Sequence, residues 1–399
     1  MLFNYTIIDD TMVEDISRRN FVRNASASTL AVGMAGLAGC TSSLPIVGDS
    51  SSGPGMENWL ASPSFTDILD EDELADRYED PEFEDAEEET RTFEYTVPEP
   101  FFDNEEETNA YSHLSNGSEF RSRVGVSAAE IDWQLYSQTN WEFEFTHTER
   151  DRSGEEFEQD GSSSTHVEIR AVSGSFDPED IEDSLERWVE NEHGDEDDEE
   201  LSSEGNRERL DLYEIDGIAF AVDEEYVLQV SVGPHVEPIA ALEATIDARW
   251  HGDELWIDDD DDARTLMDQL PSGDDVNGMF FEPMTLENAF EDEFGDEYDD
   301  IDELPDYRRE SFEDEYEYDD WQSGLMGSIS ASEIDGETTD ITTVFLYENK
   351  RDADADALRE HVDANQNLGE EWETLEDQSV SDEGRTLTLT GTVRSRAVF

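Results

Sequence analysis

Seven histidines and one cysteine are the side chains in this 399-residue chain best suited to ligating a metal or moving a proton near neutral pH. Their spacing argues against both. His113, His147, His166, His193, His235, His251 and His361 never fall at the His-Glu-x-x-His spacing that puts two imidazoles on one helix face. Cys40 stands alone, so no second thiol joins it in a zinc site. No Gly-x-Ser-x-Gly elbow, P-loop or glycine-rich dinucleotide fingerprint occurs. His235, in Gly233-Pro234-His235, falls at an expected strand-to-helix turn, where sites often form, although a lone histidine there usually serves the structure.

Carboxylates are abundant and therefore uninformative: among 109 acidic residues, pairs at catalytic spacing arise by chance. The densest run is Asp258 to Asp262. Asp258, Asp260 and Asp262 could hold a hard divalent cation weakly through oxygen ligands. The run lacks the order of a calcium loop, and acids just ahead of a helix near Ala263 also complement the helix dipole. Capping is the favoured reading, and no cofactor is expected. Asn116-Gly117-Ser118 is a weak glycosylation sequon at Asn116 that reads equally well as a polar turn.

The most specific chemistry is written between Ser17 and Cys40, in SRRNFVRNASASTLAVGMAGLAGC. Ser17, Arg18, Arg19 and Phe21 match the twin-arginine export pattern. Ala25 to Gly39 carries no charge and consists of Ala, Gly, Ser, Thr, Leu, Val and Met, as in the apolar core of a signal peptide. As a helix it spans only ~22 Å against ~30 Å of bilayer hydrocarbon. Leu37-Ala38-Gly39-Cys40 then resembles a lipobox, in which the cysteine becomes a lipidated N-terminus after cleavage. The chain supplies a control at Arg308-Arg309, an arginine pair with no apolar run behind it.

Composition describes the setting. The formal charge is −86, and removing residues 1–39, with their three arginines and four acids, leaves −85. Lysine occurs once, at Lys350. Such self-repulsion strains a compact state in dilute buffer, but the Debye length shrinks to ~3 Å at 1 M salt. Hydrophobic residues still make up 35% and aromatics 10%, which is enough for a core and argues against wholesale disorder. Motif and composition together resemble the twin-arginine-exported lipoproteins of halophilic archaea, specifically over residues 17–40. The resemblance implies passage through the Tat translocase, a covalent lipid on Cys40, and residence on the extracytoplasmic face of the cell membrane. Nucleic acid is an implausible partner for so negative a chain.

Beyond the signal peptide at 1–39, residues 40–89 read as a Ser/Gly/Pro tether followed by a poorly ordered acidic arm. An ordered body is expected from Thr90. Trp141, Phe143 and Phe145 alternate with acids, as does Val167 with Ile169, so each marks a half-buried strand. Asp177-Pro178 starts a helix with Ile181, Leu185, Trp188 and Val189 on one face. Leu210 to Ile215 and Ile218 to Val222 flank a turn at Asp216-Gly217, and Val227 to Val232 forms a further strand. Helices follow Pro238 and Asp262. Near the C-terminus, Ser328 to Ile334 and Thr338 to Tyr347 flank Asp335-Gly336, a helix runs from Asp352 to Val362, and strands surround Glu383-Gly384.

The pattern predicts an α+β fold, mainly antiparallel sheet with amphipathic helices. Two tandem βαββ-like units of split-βαβ type fit it, at 90–285 and 322–399, with identity between them too low to prove a duplication. Between them, 286–321 is an acidic-aromatic insertion with Phe290, Phe294 and Tyr298 at helical spacing. Its aromatics are expected to pack on the body rather than to form a partner surface. The functional expectation is a membrane-anchored, non-catalytic lipoprotein with a binding or envelope role and an unidentified protein or solute partner. A transporter's solute-binding component and an extracellular hydrolase are the alternatives.

Overall fold

The computed structural model describes residues 56–398, apart from 109–117, 151–155, 193–200, 216, 270–272, 366–375 and several positions between 295 and 320. The signal peptide and lipobox residues, the 41–55 tether and Asn116 therefore lie outside the described residues. Twelve strands form one antiparallel sheet in the order β11-β12-β10-β9-β8-β1-β2-β3-β7-β6-β5-β4. The first seven are β1 Glu79–Thr96, β2 Ile131–Arg150, β3 Glu156–Gly174, β4 Ser202–Arg207, β5 Leu210–Ile215, β6 Ile218–Val222 and β7 Tyr226–Val232. The remainder are β8 Asp275–Phe281, β9 Leu325–Asp335, β10 Thr338–Tyr347, β11 Glu376–Glu383 and β12 Thr386–Arg394. The α+β class and the antiparallel character match the expectation.

The two expected units share one sheet: β8, the last strand of the first expected unit, pairs with β9, the first strand of the second, Asn277 opposite Ser330. β1 and β8 pair at the centre of the sheet, Thr90 opposite Phe281 through Thr96 opposite Asp275, and join everything to their left and right. Moving outward, each side follows one plan. β3 leads into the helix Pro178–Glu192 and a meander whose last strand, β7, returns beside β3. β10 leads into the helix Ala355–Asn365 and a hairpin whose last strand, β12, returns beside β10.

The period of two along β2 decides how the sheet is covered. Trp133, Leu135, Ser137, Thr139, Trp141, Phe143 and Phe145 are buried on one face, while the residues alternating with them are half-buried or exposed. That face carries the main core. Trp59, Leu60, Phe65, Ile68 and Leu74 cover it from one side, and Leu242, Ile246, Trp256 and Leu266 from the other. On the opposite face two smaller cores sit toward the two ends of the sheet. Ile181, Leu185 and Val189 pack with Phe120, Val172 and Phe220, and at the other end Leu358 and Val362 pack with Phe345, Tyr347 and Leu387.

Residues 56–89 correct the expectation of a poorly ordered acidic arm. Met56–Trp59 is a short 3-10 helix, Phe65–Ile68 and Glu71–Arg77 are helical, and Glu79 opens β1, eleven residues before Thr90. Net acidity suggested solvation, but the apolar residues are spaced to reach one sheet face while the acids take the other side. Arg91 ties this layer down: it is buried, donates to Glu88 Oε2 at 2.8 Å and to the Ala61 carbonyl at 2.9 Å, and lies 4.8 Å above the Trp256 ring.

The segment 286–321 is partly a small core of its own. Ala289, Phe290, Leu304 and Phe312 are buried together, with Phe294, Tyr298 and Ile301 half-buried against them. Trp321 belongs instead to the core under Ala355–Asn365, and its carbonyl accepts from the Tyr347 hydroxyl at 2.8 Å. The expected boundary after Trp321 thus cuts through a packed cluster. Tyr307, Tyr316 and Tyr318 lie outside the described residues.

Candidate functional site

Between the two helix-covered ends, the second sheet face carries a polar band. Ser330, Asn277, Glu94, Tyr136, Arg170 and Gln229 are successive cross-strand partners on β9, β8, β1, β2, β3 and β7. Directly opposed residues in a sheet share a face, so the row is a consequence of register. From Tyr136 a chain of hydrogen bonds leaves the band along β2. The Tyr136 hydroxyl donates to Gln138 Oε1 at 2.7 Å, Gln138 Nε2 to Asn140 Oδ1 at 3.0 Å, and Asn140 Nδ2 to Thr90 Oγ1 at 2.7 Å.

A cavity of about 180 Å³ opens on this band. Its polar wall is Glu94, Gln134, Tyr136 and Arg170 and its apolar wall is Phe120 and Val172; Leu135 also lines it, from the strand between Gln134 and Tyr136, while its side chain lies in the main core on the other face. Phe120 reaches it from the short helix Ser118–Val124, the other six from the central strands. Arg170 Nε donates to Glu168 Oε1 at 2.7 Å while its guanidinium lies 5.0 Å from the Tyr136 ring centre. Arg121, itself buried, donates to Gln134 Oε1 at 2.8 Å, and Arg123 to Gln229 Oε1 at 3.4 Å. Three arginines converge here in a chain with only 23 cationic residues against 109 acids.

The electrostatics follow from this crowding. Burial holds the Arg121 guanidinium below its ordinary pKa, and the positive charge of Arg170 adds to the effect. Burial pushes the Tyr136 phenol well above its ordinary value, reinforced by the nearby Glu168 carboxylate. Tyr136 therefore stays protonated and donates a hydrogen bond. The arrangement suits recognition: charges of both signs, one committed donor and an apolar wall.

The residues singled out from sequence fall elsewhere. Asp260 caps the helix Asp261–Met267, accepting from Asp262 N at 2.7 Å and Ala263 N at 3.1 Å. Asp258 pairs with Arg264 at 3.0 Å and Asp262 pairs with Arg385 of the β11–β12 turn. The three carboxylates thus serve three different partners. Among the described residues no group of three His, Cys, Asp or Glu could hold a metal ion.

His235 is fully buried, with φ of 67°, and acts as a latch. Its N–H donates to Glu73 Oε2 at 2.6 Å, its carbonyl accepts from Asp70 N at 2.8 Å, and Arg77 Nη1 lies 3.3 Å from its Nε2. The ring stands edge-on to Phe143, at 5.8 Å between centres. The helix Glu71–Arg77 is thereby pinned beside the sheet. Burial lowers the imidazole pKa below 6.5; Arg77 works in the same direction, Glu73 and Asp70 against it. A lowered folded pKa means the unfolded chain binds the extra proton first, so this contribution is complete above pH 6.5 and fades as pH falls toward the folded value. His235→Asn keeps a residue tolerant of positive φ but removes the proton site. Denaturant midpoints measured across that window should slope less in the variant than in the wild type. An unchanged slope would remove His235 from the account.

No family model matches the chain, and no curated protein matches it. Among solved structures it is similar to crystal form III of TP0453, with 7% identity, 77% of this chain and 91% of that chain covered, and a TM-score of 0.36. Crystal form I of TP0453 aligns with 6% identity over 88% of this chain and 96% of that chain, again at 0.36. Similarity at this level says nothing of function.

Proposed function

We propose that this chain is a lipid-anchored, extracytoplasmic binding protein of a saline habitat, holding a ligand on the polar band of its sheet rather than transforming it. One observation carries the binding half of this reading: the cavity over Tyr136, where Arg170, Glu94 and an apolar wall meet. The groups around it are hydrogen-bonded to one another and Tyr136 is held protonated, which supports recognition over proton transfer. The continuous pairing of β1 with β8 supports a rigid scaffold over the hinged two-lobe body that a transporter's solute-binding component needs.

The anchoring half rests on Ser17, Arg18, Arg19 and Phe21 for export through the Tat translocase, and on Leu37, Ala38, Gly39 and Cys40 for cleavage and lipidation. Residues 41–55 then link the lipid to Met56, reaching at most ~50 Å when fully extended. No helix among the described residues is long and apolar enough to cross a membrane. The finer architecture belongs to the same proposal: two βαββ-like units, related by an old duplication, meet at β1 and β8, with β8 counted in the second unit and not, as expected from sequence, at the end of the first. The matching returns of β7 beside β3 and β12 beside β10 support it.

Cell fractionation tests the anchoring. Replacing Arg18 and Arg19 by Lys should leave precursor in the cytoplasm, whereas Cys40→Ser should allow export, abolish the lipid and release the protein to the medium. Normal surface delivery of the double-Lys protein would overturn the export reading.

A further inference from the structure

The cavity on the second sheet face is specific enough to name a ligand class. We propose that it binds a small zwitterion, an α-amino acid with an apolar side chain, its carboxylate on Arg170, its ammonium on Glu94 and its side chain against Phe120 and Val172. The inference rests on the binding reading above and adds the chemistry of what is bound.

Size limits the ligand first. A cavity of about 180 Å³ is slightly larger than the ~150 Å³ that admits benzene, and far below the space a drug-sized molecule fills. Charge limits it next. Glu94, Tyr136 and Arg170 are directly opposed on β1, β2 and β3, so acid and base flank one tyrosine with ~10 Å between their backbones. A ligand with only a carboxylate would meet Arg170 but also face Glu94. One with only an ammonium would meet Glu94 but face Arg170, with Arg121 behind Gln134. A molecule bearing both charges answers both walls. Because its net charge is zero, it also approaches a chain of charge −86 without repulsion.

Donor geometry agrees with the assignment. Arg170 spends Nε on Glu168 and presents its terminal nitrogens as the planar fork that suits a carboxylate. A carboxylate accepts more than one hydrogen bond, so Glu94 can take an ammonium beside a partner it already has. The apolar wall, Phe120 and Val172, belongs to the core under Pro178–Glu192, so it is packed from behind.

Titration calorimetry on the full chain in molar KCl decides the matter. The probes are L-leucine, 4-methylpentanoate and 3-methylbutylamine, which share one body and carry both charges, the carboxylate alone and the ammonium alone. Leucine should bind at least about tenfold more tightly than either fragment, a difference of ~1.4 kcal/mol. Glu94→Gln should weaken leucine by about tenfold while leaving 4-methylpentanoate unchanged or tighter, a split that loss of structure would not produce. Arg170→Gln should weaken both. Fragments that bind as well as leucine would overturn the proposal, as would silence from leucine, valine and phenylalanine while tryptophan fluorescence reports a folded protein. Either result leaves the anchoring reading standing, since that fails only in fractionation.

Discussion

Replacing Trp59 with alanine should cost about 3–5 kcal/mol of unfolding free energy, the usual range for emptying an aromatic site in a packed core. The sequence reading leaves Trp59 ahead of the ordered body expected from Thr90, where the same change would move stability by no more than about 0.5 kcal/mol. The structure puts it at 0% exposure. Its indole lies 5.5 Å from Trp133, 5.3 Å from Tyr226 and 5.5 Å from Trp250, with the Arg249 guanidinium 5.2 Å away. The buried Trp59 Nε1–H has no hydrogen-bond partner among the described residues, so the site gains from the ring's body and loses something to its polar tip. Trp59→Phe, which keeps an aromatic body and drops the unpaired donor, should therefore cost much less than Trp59→Ala. Since domains are stable by only about 5–15 kcal/mol, the alanine variant should lie near the edge of folding. Guanidine-free denaturation, with urea at constant high salt, measures both variants. An alanine variant within about 0.5 kcal/mol of wild type would mean that residues 56–77 are not part of the core.

That misplacement shows what a sequence of this composition hides. Hairpins were legible because glycine marks them: β5 and β6 end where expected on either side of Gly217, at φ 72°, and β10 begins at Thr338 after Gly336, at φ 64°. The helix Pro178–Glu192 was legible because Asp177-Pro178 starts it and Ile181, Leu185 and Val189 repeat at helical spacing. The first half of β1 was not. Its register shifts between Glu79 and Glu82, between Phe83 and Asp85, and between Glu88 and Thr90, so bulges break the period of two that would have revealed a strand. Acids fill the positions between, and a run that is mostly Glu and Asp reads as solvated whatever its apolar residues are doing.

The candidate site was invisible for a different reason. Glu94, Tyr136 and Arg170 become neighbours only through the pairing register of three strands, and no local pattern states that register. A weaker signal was available in the cations. Arg121, Arg123 and Arg170 are three of only 23 basic residues, and two of them sit two positions apart on a short helix. In a chain this acidic the scarce positive charges mark places better than the plentiful negative ones.

Lowering the salt from molar to tens of millimolar should unfold the protein, beginning in the long extension of β1, β2 and β3 beyond the rest of the sheet. β8 pairs with β1 only from Thr90 onward and β7 with β3 only from Val167, so residues 79–89, 141–150 and 156–166 form a three-stranded ribbon. On its exposed side Asp85 stands opposite Glu144 and Glu87 opposite Glu142. Like charges directly opposed across strands are ~5 Å apart at Cβ and destabilise the pair. A Debye length of ~3 Å at 1 M salt screens them, whereas ~30 Å at 0.01 M leaves them exposed to each other and to the rest of the −86 charge. Relief at the tip comes from Arg150, which pairs with Glu79 at 2.5 Å and Glu156 at 2.9 Å, but these exposed pairs contribute little and lie beyond the opposed acids. Hydrogen exchange followed by mass spectrometry during stepwise dilution of KCl should show protection lost first from this ribbon and last from the paired centre of β1 and β8. Asp85→Lys with Glu87→Lys converts two repulsions into attractions, so the salt concentration at half-unfolding should fall. Circular dichroism that persists near zero salt would end the halophilic reading, and loss that starts in β8 or β9 would mean that net charge, rather than these opposed pairs, sets the order of events.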